Sequence, residues 1–199
     1  GNANDESGNG NNGTVNGATL TNDRFGNSNS AYNFDGIDDY IIGNSTNLSV
    51  ASTNKLTIAS WINVNQLATA PAASKIFTHT NNAATGDQQY ALSINSNGSI
   101  YFLAGNGAFE NNGANLSPTG QIQSNTWVHL AVVVSVDSVK LYFNGNVVMS
   151  KPENDNFPIN PVDLFVFSSS TNTTFNKLFN GSIDDTGIWN RALTQCEIS

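Results

Sequence analysis

Carboxylates are the residues of this chain with the most chemistry to offer. Asp184 and Asp185 interrupt an otherwise apolar final stretch, Phe179 to Trp189. Counting back from Ile188, the best core anchor there, a period of two puts Asp184 on the same inward face. An inward carboxylate needs a partner, either a cation or several hydrogen-bond donors. Residues 1–12, G-N-A-N-D-E-S-G-N-G-N-N, read as loop. The same residues gather Asp5, Glu6 and several Asn carbonyls into one turn, an oxygen-rich set of the kind that wraps a hard cation such as Ca²⁺. Asp35, Asp38 and Asp39 form a further acidic group, but Asp-Gly and Asp-Asp at strand junctions are ordinary turn chemistry.

Histidine and amide chemistry is scattered. His129 falls in an apolar strand and reads as a core residue, whereas His79 borders the polar Asn81–Gln88 loop and is a ligand-site candidate. Cys196 with two remote histidines makes no credible nucleophile set. Sugar recognition requires an aromatic face for the pyranose, with amides and carboxylates reaching its hydroxyls. One loop offers Asp87, Gln88 and Gln89, and the longest connection offers Asn106, Phe109, Glu110 and Asn111. Trp189, Tyr101 and Tyr142 are outward aromatics. The loops are the favoured place for a ligand.

The elements that must position these groups are strands. Trp127 to Gly145 predicts a hairpin: Leu130, Val132 and Val134 alternate with His129, Ala131 and Val133, and Val139 to Phe143 returns after a polar break. A run apolar on both faces is a central strand. Asn144-Gly145 then predicts a second tight turn, since both positions of that turn need positive φ. Lys55 to Val64 alternates with Leu56, Ile58, Ser60, Ile62 and Val64 on one face and Trp61 on the other. Shorter strands are expected at Thr14–Leu20, Ala31–Phe34 paired with Asp39–Ile42, Lys75–Thr80, Gln89–Asn95, Ser99–Leu103 and Asp163–Phe167. Ala104–Asn125 and Lys151–Pro161 are long connections, and length of that kind points to function or mobility. Thr194 with Glu197 is a capping box, so a short helix is expected at the end. A dozen short strands with regular turns and no interior helix predict an all-β fold, a two-sheet antiparallel jelly-roll sandwich with a short C-terminal helical turn.

Composition narrows the function classes. The 199 residues suit one domain, with 38% hydrophobic and 10% aromatic residues to build a core. A formal net charge of −8 with 11% charged residues argues against nucleic acid, which wants basic stripes. A single cysteine allows no internal disulfide, and no apolar run is long enough for membrane insertion. The sequence opens abruptly at Gly1 within a polar segment and reads as one domain, 1–199, excised from a longer secreted or cell-surface protein.

Three stretches together resemble the laminin-G-like, concanavalin A-like lectin/glucanase jelly rolls of secreted bacterial proteins. They are Phe34-Asp35-Gly36-Ile37-Asp38-Asp39-Tyr40-Ile41, Trp127-Val128-His129 leading into Val139 to Gly145, and Asn180-Gly181-Ser182-Ile183-Asp184-Asp185 through Trp189 to Ile198. The opening Asp5 to Thr14 is similar to the way such domains begin. The resemblance implies a strand ahead of residues 1–12 pairing with the last one, and no such strand is in this sequence. It implies a structural Ca²⁺ between the chain ends, with Asp5 and Asp184 as side-chain ligands and Asn9, Asn11 and Thr14 supplying oxygens. It implies, too, a module that binds a glycan or works as an adhesin beside neighbouring domains, or else a spacer that binds no sugar. Jelly-roll glucanases carry a Glu-X-Asp-X-X-Glu triplet whose carboxylates share a face. Ser182-Ile183-Asp184-Asp185-Thr186-Gly187 contains no Glu, and the Gln-X-His pattern of the related lyases is absent too, so no catalysis is expected.

Overall fold

The computed structural model describes residues 1–44, 48, 50, 52–69, 73–80, 88–104, 114–115, 117–152, 164–168 and 178–199. Among the described residues, fourteen strands and one helical turn follow one another: β1 Gly13–Asn16, β2 Thr19–Thr21, β3 Ala31–Asp35, β4 Tyr40–Asn44, β5 Leu56–Gln66, β6 Ala73–Thr80, β7 Gln88–Asn95, β8 Ile100–Ala104, β9 Ala114–Asn115, β10 Trp127–Val134, β11 Ser138–Phe143, β12 Asn146–Pro152, β13 Leu164–Phe167, β14 Asn180–Trp189 and α1 Gln195–Ile198. They form two seven-stranded antiparallel sheets. Sheet A runs β1-β4-β13-β6-β7-β8-β9, and sheet B runs β12-β11-β10-β5-β14-β3-β2. This is the jelly-roll sandwich the strand pattern predicts.

The core lies between the inner faces. Leu56, Ile58, Ile62, Val64, Leu130, Val132 and Leu141 of sheet B meet Phe77, Tyr90, Leu92, Ile94, Phe102 and Phe165 of sheet A. Why β10 is apolar on both sides is also clear. Its second face carries Ala131 and Val133, which with Ala59 and Tyr142 form a smaller cluster closed by Leu193 and Ile198 at the end of the chain. α1 is held there by Glu197, whose carboxylate accepts bonds from the Thr194 N–H at 2.8 Å and from Arg191 at 2.7 Å. Tyr142, expected to face outward, is buried in this cluster. The β11–β12 turn has φ of 48° at Asn144 and 77° at Gly145, as a two-residue hairpin requires.

Two local expectations are corrected. Thr14–Leu20 is not one strand: Gly17, at φ 77°, turns the chain so that β1 joins sheet A and β2 joins sheet B. β3 and β4 likewise do not pair but belong to opposite sheets, because Asp35 to Asp39 fold into a corner. In that corner Asp35 Oδ1 accepts the Ile37 N–H at 2.7 Å and Asp39 Oδ2 accepts the Asp35 N–H at 2.8 Å. The acidic group is turn chemistry bridging the two layers, and burial raises the Asp39 carboxyl above its ordinary range, helped by Asp35 and Asp38.

Candidate functional site on the outer face of sheet B

The register of sheet B determines which side chains look away from the core. Ile62 pairs with Ile183 and Ile58 with Ile188, all on the inner side. Trp61 therefore points outward, beside His129 of β10 and Asp184 of β14. One row along, Trp127, Asn63, Ser182 and Asn33 lie directly opposite one another across four strands. The side-chain amide of Asn65 reaches Asn33 Oδ1 at 3.4 Å, and the Oδ1 of Asn63 is buried with no hydrogen-bond partner. The result is a surface of two tryptophans, a histidine and a band of amides.

Asp184 faces this surface and not the core, contrary to the period-of-two count from Ile188. Between Asp184 and Gly187 the ladder slips: Asp185 and Thr186 bulge opposite Ser60, whose hydroxyl lies 2.8 Å from that of Thr186. Asp185 has φ 45°, a left-handed conformation that Asp tolerates better than most residues. The bulge reverses the phase, so Asp184 and Ile188 stand on opposite faces.

The partner that Asp184 needs comes from the β2–β3 loop. Asp23 folds that loop on itself, Oδ1 accepting the N–H groups of Phe25 at 2.8 Å and Asn27 at 2.9 Å, and Gly26 takes φ 84°. Arg24 is thereby aimed across the sheet. Its Nη1 donates to Asp184 Oδ2 at 3.0 Å and Asp185 Oδ2 at 2.7 Å. Its guanidinium carbon lies 4.6 Å from the Trp61 ring centroid and 4.4 Å from that of Phe25. Phe25, Arg24 and Trp61 thus make a stack whose outermost member, Phe25, is 74% exposed. Burial raises the Asp184 carboxyl above its ordinary range, with the Asp185 charge adding to it; Arg24 pulls the other way without cancelling them. His129 lies 5.3 Å from Trp61, centroid to centroid, and is pushed down first by burial and then by the Arg24 charge, which leaves it neutral near pH 7. It is a half-buried member of this surface, not the core residue its apolar strand suggested. Trp61, His129, Asn144, Gly145, Ile198 and Ser199 also border a hollow of about 370 Å³.

Of the residues expected to hold calcium, Asp5, Asn9, Asn11 and Asp184 line one cleft, and Thr14 does not. Asp5 Oδ1 accepts the Ser7 N–H at 2.9 Å, and Oδ2 accepts the Asn11 N–H at 2.9 Å and its side-chain amide at 3.1 Å. The bonds from Ser7 and Asn11 hold its carboxyl down at about 2. Asn9 donates to the Ser7 hydroxyl, and Thr14 has an exposed side chain in β1. Asp5 and Asp184 border one cleft of about 890 Å³ beside the outer half of β14, where among the described residues Asp184–Trp189 pairs only with β5. The Asp184 carboxylate is paired there with Arg24, and Asp5 with the Ser7 and Asn11 amides.

Of the expected ligand contacts, His79 sits on the inner face of β6, 0% exposed and stacked 4.7 Å from Tyr90, because its register partner is a core tyrosine. It does not reach solvent. Asp87, Asn106, Phe109 and Glu110 lie outside the described residues, as does the side chain of Gln89. Their anchors are informative: β6 ends at Thr80 opposite Gln88, and Tyr90 lies opposite Ala104. Thr80, Gln88 and Ala104 therefore lie at the same end of sheet A. Arg24, Phe25, Trp61, Trp127 and Asn63 are functional candidates that the sequence reading passed over. Alternation in β5 already turned Trp61 outward, which was the available signal.

The family profile of the concanavalin A-like lectin/glucanases superfamily matches residues 34–199. No curated protein matches in sequence. Among solved structures, domain 4 of an extracellular GH43 arabinanase from Geobacillus stearothermophilus, in complex with arabinotriose, is similar at TM-score 0.70 and 20% identity, covering 99% of this chain and 91% of that one. The receptor-binding domain of botulinum neurotoxin C/D mosaic serotype gives 0.68 and 18%, covering 98% and 46%. A mutant Trypanosoma rangeli sialidase displaying trans-sialidase activity gives 0.66 and 14%, covering 94% and 28%. The chain spans less than half of the latter two, and at these identities the likeness is one of fold.

Proposed function

The chain belongs to the concanavalin A-like lectin/glucanases superfamily, and from that premise we propose that it is a non-catalytic carbohydrate-binding module that works outside the cell beside neighbouring domains. The observation that carries the reading is the Phe25–Arg24–Trp61 stack on the same sheet face as the paired amides of Asn33 and Asn65. An exposed aromatic face covers the apolar side of a sugar ring, and amides a few ångström away read its hydroxyls. An arabinotriose complex of a domain with this fold supports the choice of ligand class.

Binding fits the geometry better than hydrolysis. Glycosidase carboxyls flank the scissile bond, at least about 5 Å apart. Asp184 and Asp185 instead converge on one guanidinium nitrogen, at 3.0 and 2.7 Å. Both carboxylates are engaged by that guanidinium.

The test is a polysaccharide panel with the wild-type chain, Phe25→Ala and Trp127→Ala. Loss of one stacking contact of about 0.5–1.5 kcal/mol predicts an affinity drop of about two- to tenfold for Phe25→Ala, a surface change that costs only the Arg24 cation–π contact, about 0.5–1 kcal/mol, and so lowers the melting temperature by a few degrees at most. A silent panel at high protein concentration would sink the reading in favour of a spacer or protein-interaction domain.

A further inference from the structure

Resting on that reading of the platform, we infer that it takes uncharged glycans and turns away those bearing carboxylate or sulfate groups, with Arg24 and Asp185 setting the choice. A guanidinium on a sugar-binding face would ordinarily invite acids, since its planar edge matches a carboxylate with two parallel bonds. Here its charge is already answered. Nη1 is held by Asp184 and Asp185 together, and Asp23 is close enough to act on Asp184. One positive and three negative charges leave the cluster net negative, and His129 beside it is neutral near pH 7. The other cations of sheet B, Lys140 and Lys151, sit on β11 and β12, beyond β10 from Asp185. The whole chain carries a formal −8, which adds to the negative balance at long range.

What Arg24 keeps is its donors. All its hydrogen bonds within the described residues run from Nη1, leaving Nε and Nη2 without a protein partner. Asp185, with its side chain 63% exposed, keeps accepting capacity beside them. A sugar hydroxyl both donates and accepts, so neighbouring hydroxyls satisfy Asp185 and Arg24 at once. A carboxylate or sulfate only accepts. It satisfies the guanidinium edge while placing a second anion against Asp185, a like-charge contact that water screens only in part.

The experiment compares neutral polysaccharides (arabinan, xylan, β-glucan) with polygalacturonate and a sulfated galactan by affinity electrophoresis or calorimetry. At low salt the neutral ligands are expected to bind at least about tenfold more tightly, and added salt should narrow the gap by screening. Asp185→Asn, which keeps the fold because Asn accepts positive φ, should improve binding of the acidic polymers about threefold or more relative to the neutral ones. Acidic polymers binding as well as neutral ones, or a ratio that Asp185→Asn leaves unchanged, overturns this inference alone. Failure of every polysaccharide to bind takes down the carbohydrate-binding reading as well.

Discussion

Replacing Arg24 with Met tests the strap that ties the β2–β3 loop to sheet B. Met keeps most of the aliphatic stem against Trp61 and Phe25 but removes the cation. Asp184, whose side chain is only 7% exposed, then loses its counter-charge. Breaking a buried pair from one side costs about 3–5 kcal/mol, and the 17% exposure of Arg24 brings this site to the lower end of that range or somewhat below it. The lost cation–π contact with Trp61 adds about 0.5–1 kcal/mol. Together these give about 3 kcal/mol, or about 6–12 °C in melting temperature for a chain of this size. The sign with pH follows from the raised Asp184 carboxyl. Without Arg24 it rises further, so the penalty is full where Asp184 is ionised, near pH 7, and shrinks as acid protonates it. Urea unfolding across pH 7 to 4 reads this directly. His129 gives an independent signal: the Arg24 charge helps hold its titration down, so the variant should move it back toward the ordinary histidine range by NMR. A penalty below about 1 kcal/mol, or one that does not change with pH, would refute a strap built on a buried carboxylate.

Two further predictions concern turns. Gly145→Ala places a methyl group at φ 77°, with its Cβ 3.2 Å from the Ser199 Cα, whereas Gly26→Ala at φ 84° meets nothing within 4 Å. Both should lower stability by about 1 kcal/mol for the backbone, and chemical denaturation should show the larger loss for Gly145, with α1 loosened. Asp5, held at about 2 by Ser7 and Asn11, contributes stability that is present above the ordinary carboxylate range and lost as pH falls through its own value. Asp5→Asn should remove that acid-dependent component, worth less than about 1 kcal/mol at so solvated a site; acid titration of the melting temperature checks it, and identical curves for both proteins would count against the loop's closure by Asp5.

The fold was legible because its signals are local. Alternation in β5 and β10, Asn144-Gly145, and Thr194 with Glu197 each state their geometry within a few residues. The platform was not, because its parts converge from 160 positions apart: Arg24 meets Asp184 only once β3 and β14 pair. A bulge is similarly invisible to a count of two, although Asp185-Thr186-Gly187 within a strand is the composition that permits one. His79 misled for a related reason. A polar loop follows it, yet its register places it against Tyr90 in the core. β3 and β4 read as a hairpin because a short corner between layers and a short hairpin loop share the same turn residues.

The position of β14 has a consequence for the order in which the molecule can form. It lies between β5 and β3 and contributes the pairs Ile183–Ile62 and Ile188–Ile58, yet it is the last strand to be synthesised. Until residues 180–189 emerge, the nascent chain has two unzipped halves of sheet B, each with an open edge. Contacts that span more than 100 residues carry a high loop-closure cost and form slowly. The two halves of sheet B, β12-β11-β10-β5 and β3-β2, can therefore join only after residues 180–189 are made.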